Sequence, residues 1–168
     1  MKVLITGGAG FIGSNLASRL VSDGHEVVVL DSLLRGNKLD KTTFSKIEFI
    51  KADVRDFDAV KNAAAGCDLI FHFAAVLGVD IVADNPVETM DVEVIGTRNV
   101  VYAAEVNNIK KIMYASTSGI YGHSAIEAAL TEEVLVDPRT SYAMAKRYNE
   151  IYLASHSEEK GIDVISLR

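Results

Sequence analysis

Short, continuous apolar runs alternate with stretches of helical periodicity from the first residues onward. Lys2 to Thr6 (KVLIT) is β-branched and apolar, and glycines follow at once. Over 11–23, Phe11, Ile12, Leu16, Leu20 and Val21 can share one helix face, and Gly24 stands in the C′ position that closes such a helix. Further strands are predicted at 26–30 (EVVVL), 47–51 (IEFIK), 68–73 (DLIFHF), 110–115 (KKIMYA) and 162–167 (IDVISL). Further helices are predicted at 56–65, 87–107 and about 140–160. The polar stretches 32–46 and 122–139 read as loops. Apolar strands separated by helices imply a parallel sheet covered on both faces. The right-handed crossover rule then leaves mainly a doubly wound α/β fold, with six strands in one domain over 1–168.

Composition narrows the class. The chain has 168 residues, 49% hydrophobic and 24% charged, which suits a globular domain with a real core. A net charge of −6 repels a phosphate backbone, so nucleic acid is not an expected partner. Cys67 is the single cysteine, so no internal disulfide can form. No apolar stretch reaches the roughly 18 residues of a membrane span, and the N-terminus lacks a signal-peptide layout. The expectation is a soluble, cytoplasmic protein with no membrane partner.

The strongest local signal is Thr6–Gly13 (TGGAGFIG), placed between a strand and a helix. Gly7 permits the tight turn, Gly10 lets a pyrophosphate approach the backbone, and Gly13 lets the helix lie close to the sheet. The helix then turns its free N–H groups to the phosphates. Asp31 ends the second strand, 18 residues after Gly13, where a carboxylate accepts both ribose hydroxyls of an adenosine. It would repel a 2′-phosphate, which favours NAD over NADP, although Arg35 lies nearby. Asp53-Val54 follows the third strand. Asp53 either reads the adenine edge or caps the helix at 56–65, and sequence leaves both open.

Tyr142 and Lys146 lie four apart on the last long helix, on one face. A neighbouring ammonium favours a phenolate, and such a tyrosine can exchange a proton with a hydroxyl. Ser116-Thr117-Ser118 follows the fifth strand, at the sheet end where open α/β folds bind ligands.

With these segments in place the sequence resembles the extended short-chain dehydrogenase/reductases, specifically the NAD-dependent nucleotide-sugar epimerase/dehydratase group. The likeness rests on TGGAGFIG at 6–13, DSLLRG at 31–36, DVRD at 53–56, HFAA at 72–75, NPVET…GTRNV over 85–100, STSGIYG at 116–122 and PRTSYAMAK at 138–146. It implies a Rossmann-type fold that binds NAD. Tyr142 is implied as acid/base, and Lys146 as its partner and grip on the nicotinamide ribose. Thr117 is implied as the hydrogen-bond partner of the reacting hydroxyl. Gly7, Gly10, Phe11, Ile12 and Gly13 are implied at the pyrophosphate, and Asp31, Ser32, Asp53 and Val54 at the adenosine. Phe73, Ala74 and Ala75 are implied as the wall beside the riboses. The implied reaction is epimerisation of a nucleotide sugar, a UDP-sugar first, by hydride transfer through a transient keto-sugar.

The chain also departs from that pattern. Ser118 and Gly119 stand where the family's dehydratases carry Asp-Glu, which disfavours dehydration. Glu93 stands where the family has an Asn that orders the site; it either faces solvent or weakens activity. Members are roughly twice as long, with a substrate domain beyond the sixth strand, so the chain reads as the cofactor-binding part, expected to bind NAD and turn over little. A nucleotide-sugar reductase or decarboxylase, or a non-catalytic NAD-binding module, are the alternatives.

His25, His72, His123 and His156 share no ligand spacing, so no metal is expected. His72 is expected near the cofactor, and Cys67 as an inert apolar residue. Met90, Val94 and Val101 predict a core stripe, with Val92, Ile95 and Tyr102 largely off it. Excess apolar faces suggest a partner helix, and the family resemblance implies a homodimer through this helix and the Tyr142 helix.

Overall fold

The computed structural model describes residues 1–76, 78–125 and 130–168. Six strands form one sheet: β1 (Lys2–Thr6), β2 (Glu26–Asp31), β3 (Glu48–Lys51), β4 (Leu69–His72), β5 (Lys111–Ala115) and β6 (Asp163–Leu167). Their order is β3-β2-β1-β4-β5-β6 and every neighbouring pair is parallel. This is the doubly wound, Rossmann-type arrangement expected from the strand–helix alternation. The order reverses between β1 and β4, so the crevice at their C-terminal ends is the natural ligand position.

The helices are α1 (Phe11–Ser22), α2 (Lys41–Phe44), α3 (Phe57–Ala63), α4 (Val79–Asp84), α5 (Pro86–Val106) and α6 (Ser141–Lys160), with a kinked 3-10 stretch at Ser118–Ala125. The helices predicted at 11–23, 56–65, 87–107 and 140–160 correspond to α1, α3, α5 and α6. Of these α3 is shorter at both ends, and Asp56 is its cap, accepting from Ala59 N–H. Asp53 is therefore not the helix cap. The predicted loop 32–46 contains α2, started by Asp40, whose carboxylate accepts from Thr42 and Thr43 N–H. Of the predicted loop 122–139, residues 126–129 lie outside the described residues.

Two apolar clusters lie on the sheet. Leu4, Val28, Ile70, Ile112 and Tyr114 face α3, α5 and α6, while Val3, Ile5, Val27 and Val29 meet Ala17 of α1. The face that α5 buries differs from the predicted stripe. Thr89, Glu93, Gly96, Thr97, Val100, Val101, Ala103 and Ala104 are buried, whereas Met90 is exposed and Val94 only half-buried. Small residues let α5 lie close: a Cβ on Gly96 would stand 2.5 Å from Val54 Cγ1. Hydropathy marks large apolar side chains, whereas this contact selects small ones. Cys67 is buried, and burial pushes its thiol up to about 11, the inert state expected.

Candidate functional site

The glycine turn is held by its neighbours rather than by its own sequence. Gly7 donates to Leu30 O at 2.8 Å and adopts φ +70°, and a Cβ there would stand 2.6 Å from Ala74 N. Gly13 lies beneath the turn; a Cβ on it would meet Gly7 O at 2.5 Å and Gly8 Cα at 2.6 Å. Gly10 is different, since a Cβ there meets only Gly7 O, at 3.3 Å. It caps α1 without a side-chain bond, and Ser14 N–H is the first to reach it. The N–H groups of Phe11, Ile12 and Gly13 are thus left without helical acceptors.

Asp31 is fixed across that turn. One carboxylate oxygen accepts from Ala9 N–H at 3.0 Å and the other from Leu33 N–H at 2.7 Å. Leu33 takes a left-handed φ of 62°, and Gly36 closes the turn onto its carbonyl at 3.0 Å. Lys38 N–H donates to Ala9 O, which ties the loop back to the glycines. A carboxylate held by two backbone donors presents its remaining lone pairs in a set direction.

These parts line one cleft of about 610 Å³. Gly7, Gly10, Phe11, Asp31, Ser32, Asp53, Val54, Phe73, Ala74 and Ala75 all border it. Ile12, Gly13, Thr117, Tyr142 and Lys146 do not. Arg35 and Lys38 border it beside Asp31. Asp53 is engaged by Arg55, which donates from its backbone at 2.8 Å and from its guanidinium at 3.0 and 2.7 Å. Arg55 holds the Asp53 carboxyl below its ordinary value. The same guanidinium reaches Glu88 at 2.9 Å, so a three-membered ion network joins the β3–α3 loop to α5 beside the cleft. Sequence reading misses Arg55 and Glu88, because nothing in residues so far apart along the chain marks a contact.

The second group surrounds the C-terminal end of β5. The Lys146 side chain is 1% exposed; its Nζ donates to Ala115 O at 2.8 Å and lies 3.0 Å from Glu93 Oε2. The ammonium also lies over the rings of Tyr114, at 4.7 Å, and Tyr142, at 5.5 Å. Glu93 does not face solvent: its other oxygen accepts from Val76 N–H at 3.3 Å. Asn149 braces the cluster, donating to Glu93 O and Tyr114 Oη. The sequence predicts an ammonium that lowers the Tyr142 phenol, and the structure differs. Burial, and after it the Glu93 carboxylate, push that phenol above its ordinary value. The charge of Lys146 is already answered by Glu93.

Thr117 leaves β5 beside this cluster, its Oγ1 accepting from Gly119 N–H at 3.1 Å. A Cβ on Gly119 would touch Thr117 Oγ1 at 3.3 Å and Ala143 Cβ at 3.9 Å, which places Thr117 beside the first turn of α6. Ser116 instead donates to Glu150 at 2.6 Å. His72 is buried between Thr6 and Thr97 and does not border the cleft.

Residues 3–168 match the NAD dependent epimerase/dehydratase family. The chain belongs to that family. A UDP-glucose 4-epimerase of Mycolicibacterium smegmatis is 38% identical over 91% of this chain and 50% of its own length. A UDP-N-acetyl-alpha-D-glucosaminuronate decarboxylase of Bacillus cytotoxicus is 35% identical over 89% and 48%. The crystal structure of a Thermus thermophilus UDP-glucose 4-epimerase in complex with NAD superposes with a TM-score of 0.89, at 33% identity, over 100% of this chain and 54% of that one. The chain spans about half the length of the curated relatives it matches. No helix among the described residues is long and apolar enough to cross a membrane.

The site fits the family's cofactor. Three unpaired N–H groups at a helix start suit a pyrophosphate, and a backbone-held carboxylate suits a ribose diol. Gly10 borders the cleft beside the turn, where the phosphates would lie.

Proposed function

We propose that this chain is the NAD-binding, acid/base-bearing part of a nucleotide-sugar epimerase. The observation that carries the reading is Asp31, held by Ala9 and Leu33 N–H in the same cleft as the glycine turn. Asp31 accepts the adenosine ribose hydroxyls and disfavours a 2′-phosphate. Ser32 and Val54 border the adenosine beside it, with Asp53 kept in place by Arg55. The N–H groups of Phe11, Ile12 and Gly13 hold the pyrophosphate, while Phe73, Ala74 and Ala75 form the wall beside the riboses. NAD, when bound, supplies reversible hydride acceptance. Tyr142, once its own proton has left, takes and returns the proton of the sugar hydroxyl, Thr117 hydrogen-bonds that hydroxyl, and Lys146 holds the nicotinamide ribose. The substrate class is a nucleotide sugar, a UDP-sugar first. Ser118 and Gly119 offer no carboxyl for dehydration.

A second reading, a nucleotide-sugar decarboxylase, is supported by the decarboxylase relative, nearly as similar as the epimerase. Both readings share the cofactor site, and product analysis with each substrate separates them.

Calorimetric titration of the 168-residue chain with NAD tests the shared part. The expected dissociation constant is micromolar or tighter, loosened roughly tenfold in Asp31→Asn, the loss of about one charge-assisted hydrogen bond. Absence of binding would sink the reading. Turnover of a UDP-sugar by this chain is expected to be slight or nil, and any that is present should vanish in Tyr142→Phe.

A further inference from the structure

Glu93 is a carboxylate in a place where carboxylates are costly. Its side chain is 0% exposed, and it belongs to no motif of the cofactor cleft. A buried ion pair adds little to stability against apolar residues of the same size. Its position says more than its energy. Glu93 touches the N–H of Val76, which itself borders the cleft, and Lys146, one helical turn beyond Tyr142.

We propose that Glu93 is a positioning residue of the Tyr142–Lys146 pair: its carboxylate fixes the Lys146 ammonium at the end of β5 and cancels the charge that Lys146 presents to the Tyr142 phenol. The proposal rests on the reading of Tyr142 as the acid/base. With Ala115 O and Glu93 Oε2 as its two oxygen neighbours, the ammonium sits between the Tyr114 and Tyr142 rings. The phenol therefore senses a nearly neutral pair rather than a lone cation.

Among the described residues, no other group on the surrounding elements takes over that task. From β4, His72 is neutral, pushed down to about 3 by burial and then by Lys146. From β5, the Tyr114 phenol is raised by burial and then by Glu93. On α6, Glu150 is occupied by Ser116, Arg147 and Arg168. Thr97 and Asn149, the remaining polar neighbours, carry no charge.

The test is a titration of the tyrosine ring carbons by NMR in the isotope-labelled chain, without cofactor or substrate. Tyr142→Phe assigns the Tyr142 signal. In the unaltered chain Tyr142 is expected to stay protonated at pH 10, where an ordinary tyrosine is about half ionised. In Glu93→Gln its midpoint should fall by at least about one unit, a tenfold rise in tyrosinate at a given pH. In Glu93→Gln/Lys146→Met the midpoint should rise again, since no cation remains. A purely structural role would change the melting temperature and leave the Tyr142 midpoint alone. An unchanged midpoint in folded Glu93→Gln overturns the proposal. So does a half-ionised Tyr142 at pH 9 in the unaltered chain, a result that needs no variant to fold. Because NAD takes no part, failure here leaves the cofactor reading standing, and failure to bind NAD leaves the Tyr142 titration and its meaning unchanged.

Discussion

His72 shows what a single buried titratable residue does to the molecule. Its Nδ1 lies 2.7 Å from Thr6 Oγ1 and its Nε2 lies 3.0 Å from Thr97 Oγ1, joining β1 and α5 through β4. Thr6 Oγ1 also accepts from Ala74 N–H, so its own proton is free to point at Nδ1. These partners assign the proton to Nε2 and the neutral ring. The folded value of about 3 lies below the unfolded value of about 6.5. The unfolded chain therefore gains its proton first on acidification. The stabilising contribution is complete above about pH 6.5 and is lost as pH falls toward 3. Glu93 works in the opposite sense, because its carboxyl is raised by burial and its contribution weakens as pH climbs. A difference measurement removes that background. Between pH 7 and 4 the gap in unfolding free energy between the unaltered chain and His72→Gln should shrink by about 1–3 kcal/mol. Urea unfolding followed by circular dichroism at each pH reads the gap, and a constant gap would mean that His72 titrates alike in the folded and unfolded chain.

At the scale of elements, the junction of β1 with α1 separates folding from binding. Gly13 stands under the turn and Gly10 on its open side, so the same added methyl has two different effects. Gly13→Ala forces a carbon against Gly7 O and Gly8 Cα and should cost about 1–3 kcal/mol of stability, with NAD affinity lost alongside. Gly10→Ala meets only Gly7 O at 3.3 Å and exchanges one side-chain-free cap for a poorer one, so the fold should lose less stability than in Gly13→Ala while NAD binding weakens at least about tenfold. Thermal melts and calorimetry on both variants check the split; equal losses in the two would remove Gly10 from the phosphate site. This junction is legible in the sequence, because glycine reports backbone closeness directly. The strands are legible too, since each is a short apolar run. The short helices α2 and α4 are not, because four to six residues give no period to read. The Lys146–Glu93 pair is half legible. Glu93 stands out as a foreign residue type, but only the packing of α5 on α6 shows where its charge goes.

The whole molecule leaves one feature of the chain's chemistry unspent. Ile95 and Tyr102 of α5, with Met144, Tyr148 and Ile151 of α6, stay exposed although the two helices are packed together. Their inner sides are already committed: α5 to Val54 and the sheet, α6 to Tyr114 and Glu93. A second layer of core on the same chain is thus excluded for these side chains among the described residues. Tyr148 stacks on Tyr152 at 6.0 Å, and Arg98 lies over the Tyr102 ring at 5.9 Å, so the face has rigid aromatic anchors with a cation beside them. Such a face is self-complementary when two copies meet about a twofold axis, since each copy offers the same anchors. A homodimer, the sequence expectation, would place its interface here. Light scattering across micromolar concentrations should show a dimer, with a melting temperature that rises with concentration. Ile151→Arg puts a charge on the exposed α6 face, where Ile151 is 54% exposed, and should give a monomer whose melting temperature no longer depends on concentration. Its NAD affinity should stay unchanged, because Ile151 does not border the cleft. A monomeric unaltered chain at high micromolar concentration would leave the α5–α6 face without a second copy and end the dimer proposal.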